Sequence, residues 1–336
     1  MRIYEYGKEN PDRILLIHPS LVTWDYFENV VPLLEKQFHL LIPALPGYDL
    51  QDDSEFRSVE KTASELADAL LQKEIRQVKT VYGCSMGGSI ALRMAADGKL
   101  KTENTILDGG ITPYQLPWIL TRFIALRDFG MMALGKLGGE KVIVKAFSSS
   151  QFSEEDLKYV ANIFRHCTYR TLWNTFDSSN NYKMPEEIMR FPGKVFYWYA
   201  EKERRARGWD LKYMKKFVPD TVFKCFAGMD HGDMALFHPD VMAQELRSLR
   251  QRTGFLQFVG AAAAAGIIVH IIKTWGYRDE TGLQKLDAEG YGAGNRGSCG
   301  RLPGAGCCLR MFRIDQKQNR QSSHDRRPPA LRGRGW

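Results

Sequence analysis

Val81-Tyr82-Gly83-Cys84-Ser85-Met86-Gly87-Gly88 is the stretch around which the rest of the chain is organised. The run before it, Gln77 to Tyr82, is rich in β-branched and aromatic residues, the composition of a buried strand. The run after it, Ser89 to Ala96, carries Ala, Leu and Met at helical spacing. Between them, Gly83-x-Ser85-x-Gly87 has the pattern of a strand-to-helix turn that holds a serine in a strained backbone conformation. The glycines follow from space. Two residues to either side of the serine, any side chain would collide with the neighbouring strand or helix. An ordinary glycine turn is the plainer reading, but the strand before and the helix after are the context the strained turn requires.

Working outward, Arg2–Tyr6 and Arg13–Ile17 read as strands around a turn, and the second is apolar enough to be buried on both faces. His18-Pro19-Ser20 follows it, and then Trp24–Gln37 has apolar residues at 27, 30, 31 and 34, a helical period. His39–Ala44 is the next strand and ends in Leu45-Pro46-Gly47-Tyr48. Ser58 is a helix N-cap for Val59–Ile75. After the central stretch comes the strand Asn104–Leu107, closing on Asp108-Gly109-Gly110. The alternation predicts an α/β fold with an open, mostly parallel sheet and helices on both faces.

Residues 112–190 break that rhythm. Amphipathic segments at Pro117–Leu126, Gly130–Lys136, Lys141–Phe147, Glu154–Phe176 and Pro185–Phe191 predict a helical insertion. The alternation then resumes with Lys194–Ala200, a helix near Asp210–Phe217, the strand Thr221–Phe226, the turn Gly228-Met229-Asp230-His231-Gly232 and a helix from Pro239 to about residue 252. The expected organisation is therefore a core in two parts, 1–111 and 191–252, with an insertion at 112–190 and a tail at 253–336.

Charge separates the tail from the rest. The formal net charge is +8, and residues 253–336 hold thirteen Lys/Arg against six Asp/Glu, or +7, leaving +1 for residues 1–252. The basic balance thus describes the tail and points to no specific nucleic-acid partner for the core. Phe255–Ile272 is an uncharged apolar run at the short limit of a membrane span, and a Gly/Arg-rich stretch with the composition of disorder follows. Weak contact with a membrane or anionic surface is one expectation for this tail; the alternatives are an extension packed on the core and a remnant without a role. Cys84, Cys167 and Cys225 have no metal-ligand spacing, and no secretory signal opens the sequence, so a reduced cytoplasmic setting is expected.

In their order and spacing, His18-Pro19, Leu45-Pro46-Gly47-Tyr48, Gly83-Cys84-Ser85-Met86-Gly87, Ala200-Glu201-Lys202-Glu203 and Gly228-Met229-Asp230-His231-Gly232 resemble the landmarks of the α/β-hydrolase fold over about residues 1–250. The resemblance implies a helical cap inserted after the sixth strand, and a serine hydrolase with no cofactor and no metal. It also implies the chain order nucleophile, acid, histidine, with Ser85 as nucleophile and His231 as base. Glu203 matches the usual acid position in an altered pattern, Ala standing for Gly and Glu for Asp. Asp108 is the alternative acid, and Glu201 a third choice. Met86 and Ser20 are the implied oxyanion donors, with Leu21 open as a substitute because Pro19 stands where the family has glycine. His39, His166 and His238 read as packing, capping or surface residues, with a place lining the substrate pocket open for His166, and His18 reads as a residue that shapes its loop.

Trp118, Phe123, Met131, Met132, Phe164, Tyr169, Trp173 and Phe176 supply the apolar surface expected between the serine and the cap, which suits a small apolar acyl substrate. Cleavage of a carboxylic ester is the reaction expected. The alternatives are an acyltransferase, a lyase or a perhydrolase on the same triad, or a ligand-binding protein that keeps the fold without turnover.

Overall fold

The computed structural model describes residues 1–113, 116–147, 154–186 and 189–250. By its contacts the chain separates after residue 242, and the sheet and the site residues below all lie before that point.

Seven strands form one sheet in the order β1-β3-β2-β4-β5-β6-β7. They are β1 Ile3–Tyr6, β2 Arg13–Ile17, β3 His39–Pro43, β4 Gln77–Cys84, β5 Lys101–Asp108, β6 Lys194–Ala200 and β7 Val222–Phe226. Only β1 runs antiparallel, against β3; each of the other neighbouring pairs is parallel. The register explains the burial. Leu15 lies beside Val81 and Val81 beside Thr105, so the central strands are covered on both faces and read as continuous apolar runs.

Among the described residues the α-helices before residue 239 are α1 Val31–Leu34, α2 Val59–Gln72, α3 Met86–Asp97, α4 Trp118–Phe147, α5 Glu154–His166, α6 Tyr169–Asn181, α7 Gly208–Phe217 and α8 Asp233–Phe237. Residues 239–250 are helical as well. The Ser58 side chain accepts the Lys61 N–H and caps α2 as its position in the sequence predicts. Five strands, not the six that the resemblance implies, precede the helical segment α4–α6, and two follow it.

Several segments differ from the sequence expectation. Trp24–Gln37 is not one helix but a 3₁₀ turn at Trp24–Phe27 followed by the single turn α1, whose second residue is Pro32. Glu154–Phe176 breaks in two because Thr168 leaves the helix and caps α6, its hydroxyl accepting the Thr171 N–H. Pro117–Leu126, Gly130–Lys136 and Lys141–Phe147 run together in α4, with a kink at Gly139, where φ is +63°. No helix forms at the described residues of Pro185–Phe191, a segment opened by a proline and held instead by the Met189 N–H bond to the Phe217 carbonyl.

Helices α5 and α6 pack on the loops that leave the carboxyl ends of β2 and β3. The Tyr159 hydroxyl bonds Thr23 at 2.6 Å and Asp25 at 2.5 Å. Tyr48 bonds Thr175 at 2.6 Å, and the Cys167 thiol donates to the Gly47 carbonyl at 3.3 Å. The expected pocket residues divide between two settings. Met132, Phe164 and Phe176 are buried in the cluster that also holds Leu21 and Met86, whereas Trp118 and Phe123 are about two-thirds exposed on α4 and Tyr169 faces solvent.

Candidate active site

Ser85 sits at the joint between β4 and α3 with φ +53° and ψ −116°, a conformation costly for any residue with a side chain. Backbone bonds hold it there. Its N–H donates to the Asp108 carbonyl at 2.9 Å, and its own carbonyl accepts from Gly88 at 2.9 Å. The glycines are required by contact. A Cβ on Gly83 would stand 2.1 Å from the Gly87 carbonyl oxygen, and one on Gly87 would stand 2.3 Å from that of Ile17. The turn is thereby pressed against the end of β2, where His18-Pro19-Ser20 begins.

Met86 opens α3, so its N–H lies in the first turn, where there is no carbonyl four residues earlier within the helix to receive it. Ser20 is buried in the His18 loop, and Leu21 takes φ +65°, a strained value for leucine. His18 is a fixture of that loop. Its Nδ1 donates to the Pro19 carbonyl at 2.8 Å and its Nε2 accepts the Leu45 N–H at 3.4 Å. Burial pushes its pKa down to about 4, so the ring is neutral at physiological pH.

His231 follows β7 in a loop whose Gly232 has φ +80°. Its Nδ1 lies 2.5 Å from Glu203 Oε2, and both side chains are almost fully buried. Glu203 Oε1 accepts the Ala200 N–H at 2.9 Å, which fixes the carboxylate at the end of β6. Burial alone would raise the Glu203 pKa. The imidazole, the Arg207 guanidinium and the Ala200 N–H together outweigh it and hold the carboxyl below its usual range.

The other two candidate acids are committed elsewhere. Asp108 accepts the Tyr82 hydroxyl at 2.5 Å, and burial together with the Glu203 charge raises its pKa to about 7. Glu201 accepts the Gly228 N–H at 2.8 Å. Of the other histidines, His39 pairs with Glu5 at 3.0 Å in the β1–β3 region.

Residues without a sequence signature join these parts. The place where a Gly109 Cβ would sit is 2.7 Å from His231 Nδ1 and 2.8 Å from Glu203 Oε2. Gly109 directly follows Asp108, whose carbonyl holds the Ser85 N–H, so the imidazole–carboxylate pair is seated beside the serine turn. Tyr26 ties the same two loops together from the other side. Its hydroxyl donates to the Gly232 carbonyl at 2.8 Å and reaches Cys84 Sγ at 3.6 Å.

A family model described as the alpha/beta hydrolase family matches residues 14–245, more than half of the chain. The chain belongs to the alpha/beta hydrolase family. Among curated relatives it is similar to the uncharacterized hydrolase YNR064C of Saccharomyces cerevisiae, 31% identical over 94 residues, covering 26% of this chain and 32% of that protein. It is also similar to an AB hydrolase superfamily protein of Gibberella zeae, 36% identical over 108 residues, covering 31% and 38% of the two chains. The match thus spans about a third of the length of these relatives. Among solved structures, an alpha/beta hydrolase family protein from Desulfitobacterium hafniense has a TM-score of 0.60 at 22% identity, covering 74% of this chain and 99% of that one. MenH from S. aureus has a TM-score of 0.60 at 16% identity, with coverage of 75% and 97%. At such identities these structures share the fold alone with this chain.

Among the described residues no group of three His, Cys, Asp or Glu side chains has metal-holding geometry, and no helix is long and apolar enough to cross a membrane. A surface cleft of about 490 Å³ is lined by charged residues including Asp52, Arg57, Lys61 and Asp68, and neither Ser85 nor His231 borders it.

Proposed function

We propose that this hydrolase cleaves carboxylic esters of small apolar acids through Ser85, His231 and Glu203. The observation that carries the reading is the buried bond between His231 Nδ1 and Glu203, seated on Gly109 beside the strained Ser85 turn. With Nδ1–H donated to Glu203, the imidazole presents Nε2 as the base. His231 takes the Ser85 proton as Oγ attacks the ester carbonyl, then gives that proton to the leaving alcohol as the C–O bond breaks. Water attacks the acyl-enzyme with the same base, releasing the acid and restoring Ser85. The Met86 N–H, in the open first turn of α3, and a second N–H from Ser20 or Leu21 stabilise the oxyanion. Such a donor is typically worth on the order of 10²–10³ in rate. The apolar preference is supported by Leu21, Met86, Met132, Phe164 and Phe176, which share one buried cluster next to the turn.

The test is a graded series of p-nitrophenyl esters together with labelling by a fluorophosphonate probe. Ser85→Ala is expected to lose both turnover and labelling, and His231→Ala to lose turnover, each with a native melting curve. Turnover near the native level in either folded variant would overturn the reading. Labelling of Ser85 without hydrolysis of any ester would move the assignment to transfer onto an acceptor other than water.

A further inference from the structure

Arg207 lies four residues after Glu203 in the turn that leads into α7. Among the described residues it is the one Lys or Arg that is buried, at 5% exposure. Burying a guanidinium is costly unless carboxylates and carbonyls receive it. Its Nη1 donates to the Gly109 carbonyl at 3.1 Å and stands 3.2 Å from Asp210 Oδ2, and its Nε is 3.7 Å from Glu203 Oε2. Asp210 is anchored in turn, its Oδ1 accepting both the N–H and the hydroxyl of Thr112 at 2.8 and 2.9 Å. One planar cation therefore donates to the glycine on which the imidazole rests, pairs with a second buried acid, and holds its Nε within ion-pair distance of the carboxylate bonded to His231 without a hydrogen bond to it.

We propose that Arg207 is a positioning residue of this hydrolase, clamping Glu203 and the Gly109 carbonyl so that carboxylate and imidazole stay aligned while its charge balances Asp210. The proposal rests on the reading of Glu203 and His231 as the acid–base pair. The groups around this pair are Arg207, just before α7, Asp210 in the first turn of α7, and Asp108 with Tyr82 from β5 and β4, while Asp233 from α8 acts on Asp108. Burial and the Glu203 charge raise the Asp108 pKa to about 7, and Glu203 and Asp210 are the two carboxyls that Arg207 stands between. Without Arg207 these two would repel each other, and one would take up a proton at a higher pH than it does now. The sign follows. Losing the Arg207 charge that holds the Glu203 pKa down lets Glu203 protonate at a higher pH and moves the acid limb of kcat/KM upward.

The experiment compares the full chain with Arg207→Gln, Arg207→Lys and the double variant Arg207→Gln/Asp210→Asn, by pH profile on a p-nitrophenyl ester and by melting temperature from pH 5 to pH 8. Arg207→Gln is expected to lower kcat/KM at pH 7 by on the order of 10²-fold, the scale of a 1 Å misplacement. Its acid limb should rise by about one pH unit. Adding Asp210→Asn should bring the limb back and recover at least a tenfold share of the rate. Arg207→Lys keeps the charge but not the two-pronged reach, so it should keep the native limb with a lowered kcat, and it serves where the glutamine variant does not fold. In melting, carboxyls whose folded pKa is raised stabilise the variant at low pH and lose that contribution as pH rises. The gap in Tm between native and Arg207→Gln should therefore be wide at pH 8 and narrow at pH 5. An unshifted limb, a Tm gap independent of pH, no rescue by Asp210→Asn, or native kcat in Arg207→Lys would each overturn the proposal. The melting comparison needs no turnover, so it reports on Arg207 even if Ser85→Ala retains activity and the ester-hydrolase reading fails.

Discussion

Replacing Gly109 by alanine would place a methyl group against the imidazole, and a matched control exists elsewhere in the chain. Gly109 and Gly98 both have left-handed backbones, with φ of +55° and +64°, so alanine at either carries the same conformational cost of roughly 1 kcal/mol. They differ in what the new Cβ would meet. At Gly98 nothing lies within 4 Å, whereas at Gly109 the Cβ would be 2.7 Å from His231 Nδ1 and 2.8 Å from Glu203 Oε2. Ordinary contact begins near 3.4 Å, so the ring must move by 3.4 − 2.7 = 0.7 Å, and the carboxylate must move with it. A misplacement of about 1 Å at reacting groups costs on the order of 10²-fold, which puts the expected fall in kcat for Gly109→Ala between roughly 10- and 100-fold. Gly98→Ala should lose a similar increment of melting temperature and keep its kcat. The assay is ester turnover beside a thermal melt for both variants. Equal activity in the two would refute the inference that Gly109 is small because the imidazole rests on it. Equal loss in the two would assign the effect to the backbone.

Two further outcomes follow from the same geometry. Glu203→Gln should lower kcat by about 10⁴-fold, the scale seen when a triad carboxylate becomes an amide, while Asp108→Asn should stay within about tenfold of native; the reverse ranking of kcat would move the acid to the end of β5. Because the folded pKa of Asp108, about 7, lies above its unfolded value, its contribution to stability is present at low pH and lost as pH rises through 7. Asp108→Asn should therefore flatten any fall in Tm between about pH 4 and pH 7. A chain ending at Thr253, eight residues past the family match, is expected to keep kcat/KM and to lose binding to anionic vesicles. Precipitation or inactivity of the shortened chain would show that the proposed boundary at 253 is misplaced.

The sheet was legible because its central strands are buried on both faces, and such strands must be apolar at nearly every position. Leu15, Leu16 and Ile17, or Leu40, Leu41 and Ile42, leave no other reading once helical periods separate them. The helical segment was less legible because helix ends are decided by single residues. Thr168 ends one pattern and starts another without altering the apolar spacing across 154–176. Exposure on α4 was not legible either. That helix is apolar on more than one side, so periodicity cannot say that Trp118 and Phe123 face solvent while Ile124 and Met132 face inward.

At the site, what sequence reveals and what it hides divide by chain distance. Ser85 and its glycines act on one another within five residues, so their pattern is visible as a motif. The segment 108–112 shows no comparable pattern, yet it is where the rest of the chain converges. Ser85 donates to Asp108, Arg207 to Gly109, Tyr197 to Gly110, and both Ser89 and Tyr182 to Ile111, while Thr112 is held by Asp210. Those partners come from β4, α3, β6, α7 and residue 182 just past α6, at separations of up to 98 residues. Gly88 and Gly110 are small for the same reason, since a Cβ on Gly88 would stand 2.7 Å from the Gly110 Cα. Each of these residues looks ordinary along the chain, because its requirement is written on a different strand or helix. The consequence is mechanical. The serine turn, the imidazole and the buried acids share one short backbone segment as their common support, so a change at residues 109 or 110 should register at the serine and at the histidine together, whereas a change at residue 98 should register at neither.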